Sequence, residues 1–209
     1  MADLEHSIKL HVSGFIDAAI QGYRQILDSE EPHPVAANNL GVILQKTGRQ
    51  DEAIGFFNRA IELQPDYSEA FFNRANALKN SDLDQAASDY EAALVINPTY
   101  VKALWNYGVF LLINGQPEKG IGKLHDAFEL APDNSELCEN LLNACVKFGS
   151  ADLALSVINQ VNEKLLTSQF ALGLTAAACF EKSGYEERAC EILKQLTPTS
   201  KKEKSLLCL

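Results

Sequence analysis

Apolar residues recur along this chain at separations of three and four, the stripe of an amphipathic helix. In the middle of the chain the stripe itself repeats. Three segments, starting at Ala53, Ala86 and Gly120, place Phe57, Tyr90 or Leu124 four residues on, then Ala60, Ala93 or Ala127, then Pro65, Pro98 or Pro132. The prolines lie 33 and 34 residues apart. Small residues on an apolar stripe allow close helix crossing, and proline cannot continue a helix, so each segment predicts a packed helix and its stop. An earlier amphipathic segment precedes each one, starting at Ala36, Ala70 and Ala103. Gly48 and Gly115 close two of these; the third is one residue shorter and turns through Asn80, Ser81 and Asp82. The pattern therefore predicts an all-α chain of stacked helix pairs, because a fixed period of this length is the signature of a repeat architecture.

This arrangement resembles the tetratricopeptide repeat, a helix-turn-helix unit of 34 residues. The matching residues are Ala37, Leu40, Gly41, Ala53, Phe57, Ala60 and Pro65 in one unit. In the next they are Phe71, Arg74, Ala75, Ala86, Tyr90, Ala93 and Pro98, and then Leu104, Tyr107, Gly108, Gly120, Leu124, Ala127 and Pro132. Weaker copies flank them, with Gly14, Ala19, Tyr23 and Ile26 before, and Gly149, Ala154, Ile158, Ala177, Gly184, Ala189 and Leu193 after. Six units are expected, at 1–33, 34–67, 68–100, 101–134, 135–169 and 170–203, with 204–209 as a short tail. The resemblance implies a right-handed α-solenoid superhelix whose groove is lined by the first helix of each pair.

The family's groove positions are the second, fifth, sixth and ninth of each unit. The sixth position reads Asn39, Asn73, Asn106 and Asn140, while Glu5 and Thr175 stand there in the end units. A carboxamide both donates and accepts, so a row of them suits the main chain of an extended peptide. The row is similar to the one implied for the O-GlcNAc transferase-like members of the family. Asparagine is also a poor helix former, so four at one place need some compensation; the alternative to ligand binding is that they bond within the scaffold or are simply tolerated by the repeat. The ninth position adds Asn76 and Asn143; the fifth adds Phe72 and Trp105, which together suit an aromatic anchor, with Trp105 packing between adjacent helices as the alternative. Lys102, at the second position, suits a carboxylate, whereas Glu69 and Glu136 there favour a basic side chain. The family's carboxylate clamp for chaperone tails is not expected, since Asn106 stands where that clamp needs arginine.

Composition narrows the reading further. The net charge of -10 argues against nucleic acid, whose grip depends on clustered Lys and Arg. The five cysteines form no C-x-x-C pair and have no histidine at ligand spacing, so no metal site is expected and the first four read as small buried residues. The N-terminus lacks a basic segment followed by an apolar one, and no stretch approaches the length of a membrane span. A reducing cytoplasm is the expected compartment. The segment Gly115–Lys123 passes for a phosphate loop only until Pro117 is found in place of its first glycine and Leu124 in place of its hydroxyl.

No catalytic constellation, cofactor motif or metal set is read from the residues. The expected function is a non-enzymatic scaffold binding an extended protein segment across the second to fifth units. The alternative is a substrate-recognition domain or subunit that serves a glycosyltransferase or another transferase. Self-association into a homo-oligomer is a third expectation, through an end unit docking in a neighbour's groove.

Overall fold

The computed structural model describes residues 3–161, 170–182, 184 and 187. Among them there are helices and turns and no strand. The helices are α1 (Leu4–Val12), α2 (Ile16–Leu27), α3 (Pro34–Lys46), α4 (Gln50–Leu63), α5 (Ser68–Leu78), α6 (Leu83–Ile96), α7 (Val101–Ile113), α8 (Pro117–Leu130), α9 (Ser135–Phe148), α10 (Ala151–Gln160) and α11 (Phe170–Lys182). The second helix expected in the last unit and the 204–209 tail lie outside the described residues. The chain forms two compact units, 1–103 and 104–209.

Each turn from a first helix to a second is set locally. Gly14, Gly48, Gly115 and Gly149 take φ between 74° and 83°, a region that side chains with a Cβ avoid. The residue after each glycine donates its N–H to a carbonyl five positions back: Phe15 to Leu10, Arg49 to Leu44, Gln116 to Leu111 and Ser150 to Cys145, all at 2.9 Å. That is the bonding of a Schellman cap. The shorter turn needs no left-handed residue. There Asp82 donates its N–H to the Leu78 carbonyl at 2.8 Å, and its carboxylate accepts from the Gln85 N–H. Pro65, Pro98 and Pro132 each stand two residues beyond the end of α4, α6 and α8.

In the first unit the interior is built from Tyr23, Leu40, Leu44 and Phe57, with Ala19, Ala36 and Ala53 at the closest approaches. The ring of Phe57 lies over Gly41, where a Cβ would stand 2.6 Å from its Cε1. In the second unit Leu124, Phe128, Leu141, Leu142 and Val157 are fully buried. There α7 and α8 cross almost backbone to backbone. A Cβ on Gly120 would stand 2.8 Å from the Gly108 carbonyl oxygen, and one on Gly108 would stand 2.8 Å from Leu124 Cγ. Gly120→Ala therefore has no room to relax without parting the helices, and a loss of about 1–3 kcal/mol is expected in denaturant unfolding. Gly122→Ala on the same helix, with nothing within 4 Å, is expected to leave stability level or to raise it by up to about 1 kcal/mol.

Cys138, Cys145 and Cys179 are buried, as the sequence reading expects of them. Burial pushes the thiols of Cys138 and Cys145 up to about 11, so both stay protonated and unreactive at neutral pH. Cys190 and Cys208 lie outside the described residues.

Candidate functional site

The first helices of the pairs carry the sequence-derived site residues, and the two units treat those residues differently. In the first unit the carboxamides are largely engaged within the scaffold. Asn73 Nδ2 donates to Asn38 Oδ1 at 2.8 Å, and Asn38 is itself buried. Asn39 Nδ2 donates to the Tyr23 hydroxyl at 3.2 Å, and that hydroxyl also meets His11 Nδ1 at 3.4 Å. Asn76 donates to the Phe72 carbonyl and accepts from the Tyr90 hydroxyl, both at 2.9 Å. The carbonyl oxygens of Asn39 and Asn73 have no hydrogen-bond partner among the described residues.

Phe72 does not stand out as an anchor. It is 8% exposed, its ring 5.1 Å from that of Tyr100 and 6.4 Å from that of Tyr90. Tyr67 and Tyr100 are half-buried near Glu69. Burial first, and then the negative charge of Glu69, push both phenols up to about 12, so each keeps its proton as a hydrogen-bond donor at neutral pH. Lys102 is exposed.

The sequence reading took Arg74 only as the occupant of a repeat position and did not foresee its partner. Its guanidinium forms a two-pronged bond with Asp89, Nε to Oδ2 at 2.7 Å and Nη2 to Oδ1 at 2.6 Å, and Nη1 donates to Asn58 Oδ1 at 2.7 Å. Gln85 Nε2 adds a third bond to Asp89 at 2.9 Å. The Asp89 side chain is 2% exposed. A signal was present: Arg74 interrupts a position that holds Leu40 and Tyr107 in neighbouring units, and an arginine in an apolar register needs a buried acceptor.

In the second unit the carboxamides are available. Asn106 and Asn140 are half-buried, Asn143 is exposed, and none of the three side chains bonds to another described residue. Trp105 is half-buried against the interior cluster of this unit. Beside Asn140 and Asn143 a cavity of about 250 Å³ opens between α7 and α9, with Val109, Leu112 and Ile113 on one side and Ala144, Lys147 and Phe148 on the other. Leu124 of α8 forms part of its lining, admitted by the missing side chain of Gly108. Sequence reasoning named Asn140 and Asn143 here and missed Ile113, Lys147 and Phe148, which lie beyond the family's groove positions.

Among the described residues no three His, Cys, Asp or Glu side chains gather into a metal-holding group, and no helix is long and apolar enough to cross a membrane. Tetratricopeptide repeat profiles match residues 34–67 and 76–135. The human tetratricopeptide repeat protein 6 is 29% identical over 124 residues, covering 57% of this chain and 24% of that protein. The human protein O-mannosyl-transferase TMTC1 is 32% identical over 107 residues, covering 49% of this chain and 12% of that protein. The chain thus spans about a quarter or less of the length of these curated relatives. Among solved structures, YrrB, described as a TPR protein with an unusual peptide-binding site, superposes with a TM-score of 0.68 at 19% identity, covering 90% of this chain and 98% of that one. The chain thus carries tetratricopeptide repeats over 34–67 and 76–135, and its paired helices have the fold of the solved tetratricopeptide repeat proteins, which generally act in protein–protein interaction.

Proposed function

We propose that this protein is a non-catalytic scaffold that binds an extended segment of a partner protein along the first-helix faces of its repeats. The observation that carries this reading is the set of three accessible carboxamides on α7 and α9, Asn106, Asn140 and Asn143, which bond to no side chain or backbone group among the described residues. A partly buried amide without a partner is unfavourable when water is displaced, and an extended backbone offers the donors and acceptors that satisfy it. Trp105 beside them supplies apolar area. In the first unit the free carbonyl oxygens of Asn39 and Asn73 and the Lys102 ammonium supply further contacts, while Asn76 and Phe72 hold the helices that present them. The peptide-binding site described for YrrB, which shares the fold, is consistent with this use.

The test is direct. A displayed library of random twelve-residue peptides is selected on the purified full chain, and affinities are read by fluorescence polarisation. Asn106→Ala with Asn140→Ala is expected to weaken the selected peptides by about tenfold or more, each lost bond contributing roughly 0.5–1.5 kcal/mol. Unchanged affinity, or no peptide recovered at all, removes this reading.

A second reading is favoured by one comparison: the stretch similar to TMTC1 lies in a protein named as a transferase. The repeats would then present substrates to a catalytic partner or domain. Co-purification with a transferase activity that the Asn106→Ala, Asn140→Ala protein loses would select this reading over the plain scaffold.

A further inference from the structure

The cavity between α7 and α9 carries more information than the carboxamides alone. Asn143 and Ala144 lie three and four residues after Asn140 and four and three residues before Lys147, so the four residues form one stripe of α9. Val109, Leu112 and Ile113 form the facing stripe of α7. The space is about 250 Å³, below the ~300–1,000 Å³ typical of small-molecule sites and suited to a single bulky side chain. Its walls are mainly aliphatic, and Ile113 and Phe148 at its mouth are 78% and 38% exposed. Large apolar side chains left in water around a concavity mark an interaction site rather than a tolerated surface.

One charged residue lines the cavity, Lys147, whose ammonium stands 5.2 Å from the centre of the Phe148 ring. It makes no ion pair with a carboxylate among the described residues. Among the described residues the paired lysines and arginines, Arg49, Arg59, Arg74 and Lys123, all lie outside α9. The net charge of the chain, -10, opposes an acidic partner at long range. Screening limits that field to about 8 Å at physiological salt, so the local ammonium decides which charge is accepted at this point.

Building on the scaffold reading, we infer that this cavity is a specificity pocket for a bulky apolar side chain, Leu, Ile, Met or Phe, with an Asp or Glu close by in the same bound segment. The side chain fills the space between α7 and α9, the neighbouring main chain meets Asn140 and Asn143, and the carboxylate meets Lys147.

The peptide selection described above is repeated with Ile113→Ser and Lys147→Glu in the full chain. Both side chains are exposed, so both variants are expected to keep the wild-type helical circular dichroism and melting temperature. Wild type is expected to enrich peptides with a bulky apolar residue within three positions of an Asp or Glu. Ile113→Ser is expected to weaken those peptides about fivefold or more. Lys147→Glu is expected to weaken them about tenfold and to shift the enriched acidic residue to Lys or Arg. Peptides that bind and depend on Asn106 and Asn140, yet lack this signature and ignore both substitutions, overturn the pocket while leaving the scaffold reading intact. Failure to recover any peptide overturns both. A concentration-dependent dimer in light scattering that Ile113→Ser abolishes assigns the cavity to a second copy of the chain and also overturns the proposal.

Discussion

Replacing Asp89 by Ala is expected to lower the unfolding free energy by about 3–5 kcal/mol, a large share of what a domain of this size possesses. The carboxylate is enclosed and accepts two bonds from Arg74 and one from Gln85. Removing it leaves the guanidinium, itself mostly buried, with only Asn58 as an acceptor. The loss is the cost of an uncompensated charge in the interior and does not measure a net gain from the pair. Placing leucine at both Arg74 and Asp89 therefore separates the two ideas. The double variant is expected to regain most of the lost stability, because apolar packing often replaces a buried ion pair without penalty. Urea unfolding followed by circular dichroism reads all three proteins. A single Asp89→Ala loss below about 1 kcal/mol would show the pair to be solvated and interchangeable with a surface bridge.

Phe57→Ala is expected to cost about 3–5 kcal/mol by the same measurement. The ring is wholly buried and occupies the space that Gly41 leaves open. Truncation removes its contacts with both helices of the pair and leaves a void that the flanking Ala53 and Ala60 are too small to fill. The adjacent Phe56→Ala is expected to cost less, since that ring is only half-buried. The pairing with Gly41 makes a sharper prediction. Gly41→Ala forces a Cβ against the Phe57 ring and destabilises the wild type, whereas in a Phe57→Leu background the same change is milder. A double-mutant cycle showing additivity within about 0.5 kcal/mol would refute the contact.

Both predictions fall on positions that the sequence treated unequally. Gly41 and Phe57 stood out in the one-dimensional pattern, because close helix crossing demands a small residue facing a large one at every repeat. The same holds for Gly108 with Leu124 and for the turn glycines at 14, 48, 115 and 149, whose left-handed φ is a local requirement. Asp89 did not stand out. It reads as one more carboxylate on an amphipathic helix, and only its contact with Arg74, fifteen residues earlier, buries it.

The candidate site divides along the same line. That asparagine recurs at Asn39, Asn73, Asn106 and Asn140 was legible from the repeat. Which of these amides are occupied was not. Asn39 finds Tyr23 sixteen residues away, and Asn73 finds Asn38 thirty-five residues away, across helix boundaries that no residue spacing encodes. Phe72 and Trp105 looked alike as fifth-position aromatics, yet Phe72 is enclosed by Tyr90 and Tyr100. The cavity beside Asn143 was also illegible, because its walls come from α7 and α9 and its depth from a glycine that lets α8 approach.

The order of residues alone dictates the class of structure: paired helices, their turns, their small-to-large crossings and the repeat that stacks them. These follow from periodicity and from the backbone preferences of glycine and proline, which act over a few residues. Only the tertiary structure decided the chemistry of the surface. Whether a carboxamide is spent inside the scaffold, whether an arginine has a buried acceptor, and where two stripes part to leave an apolar space all depend on which side chains meet from helices far apart in the chain.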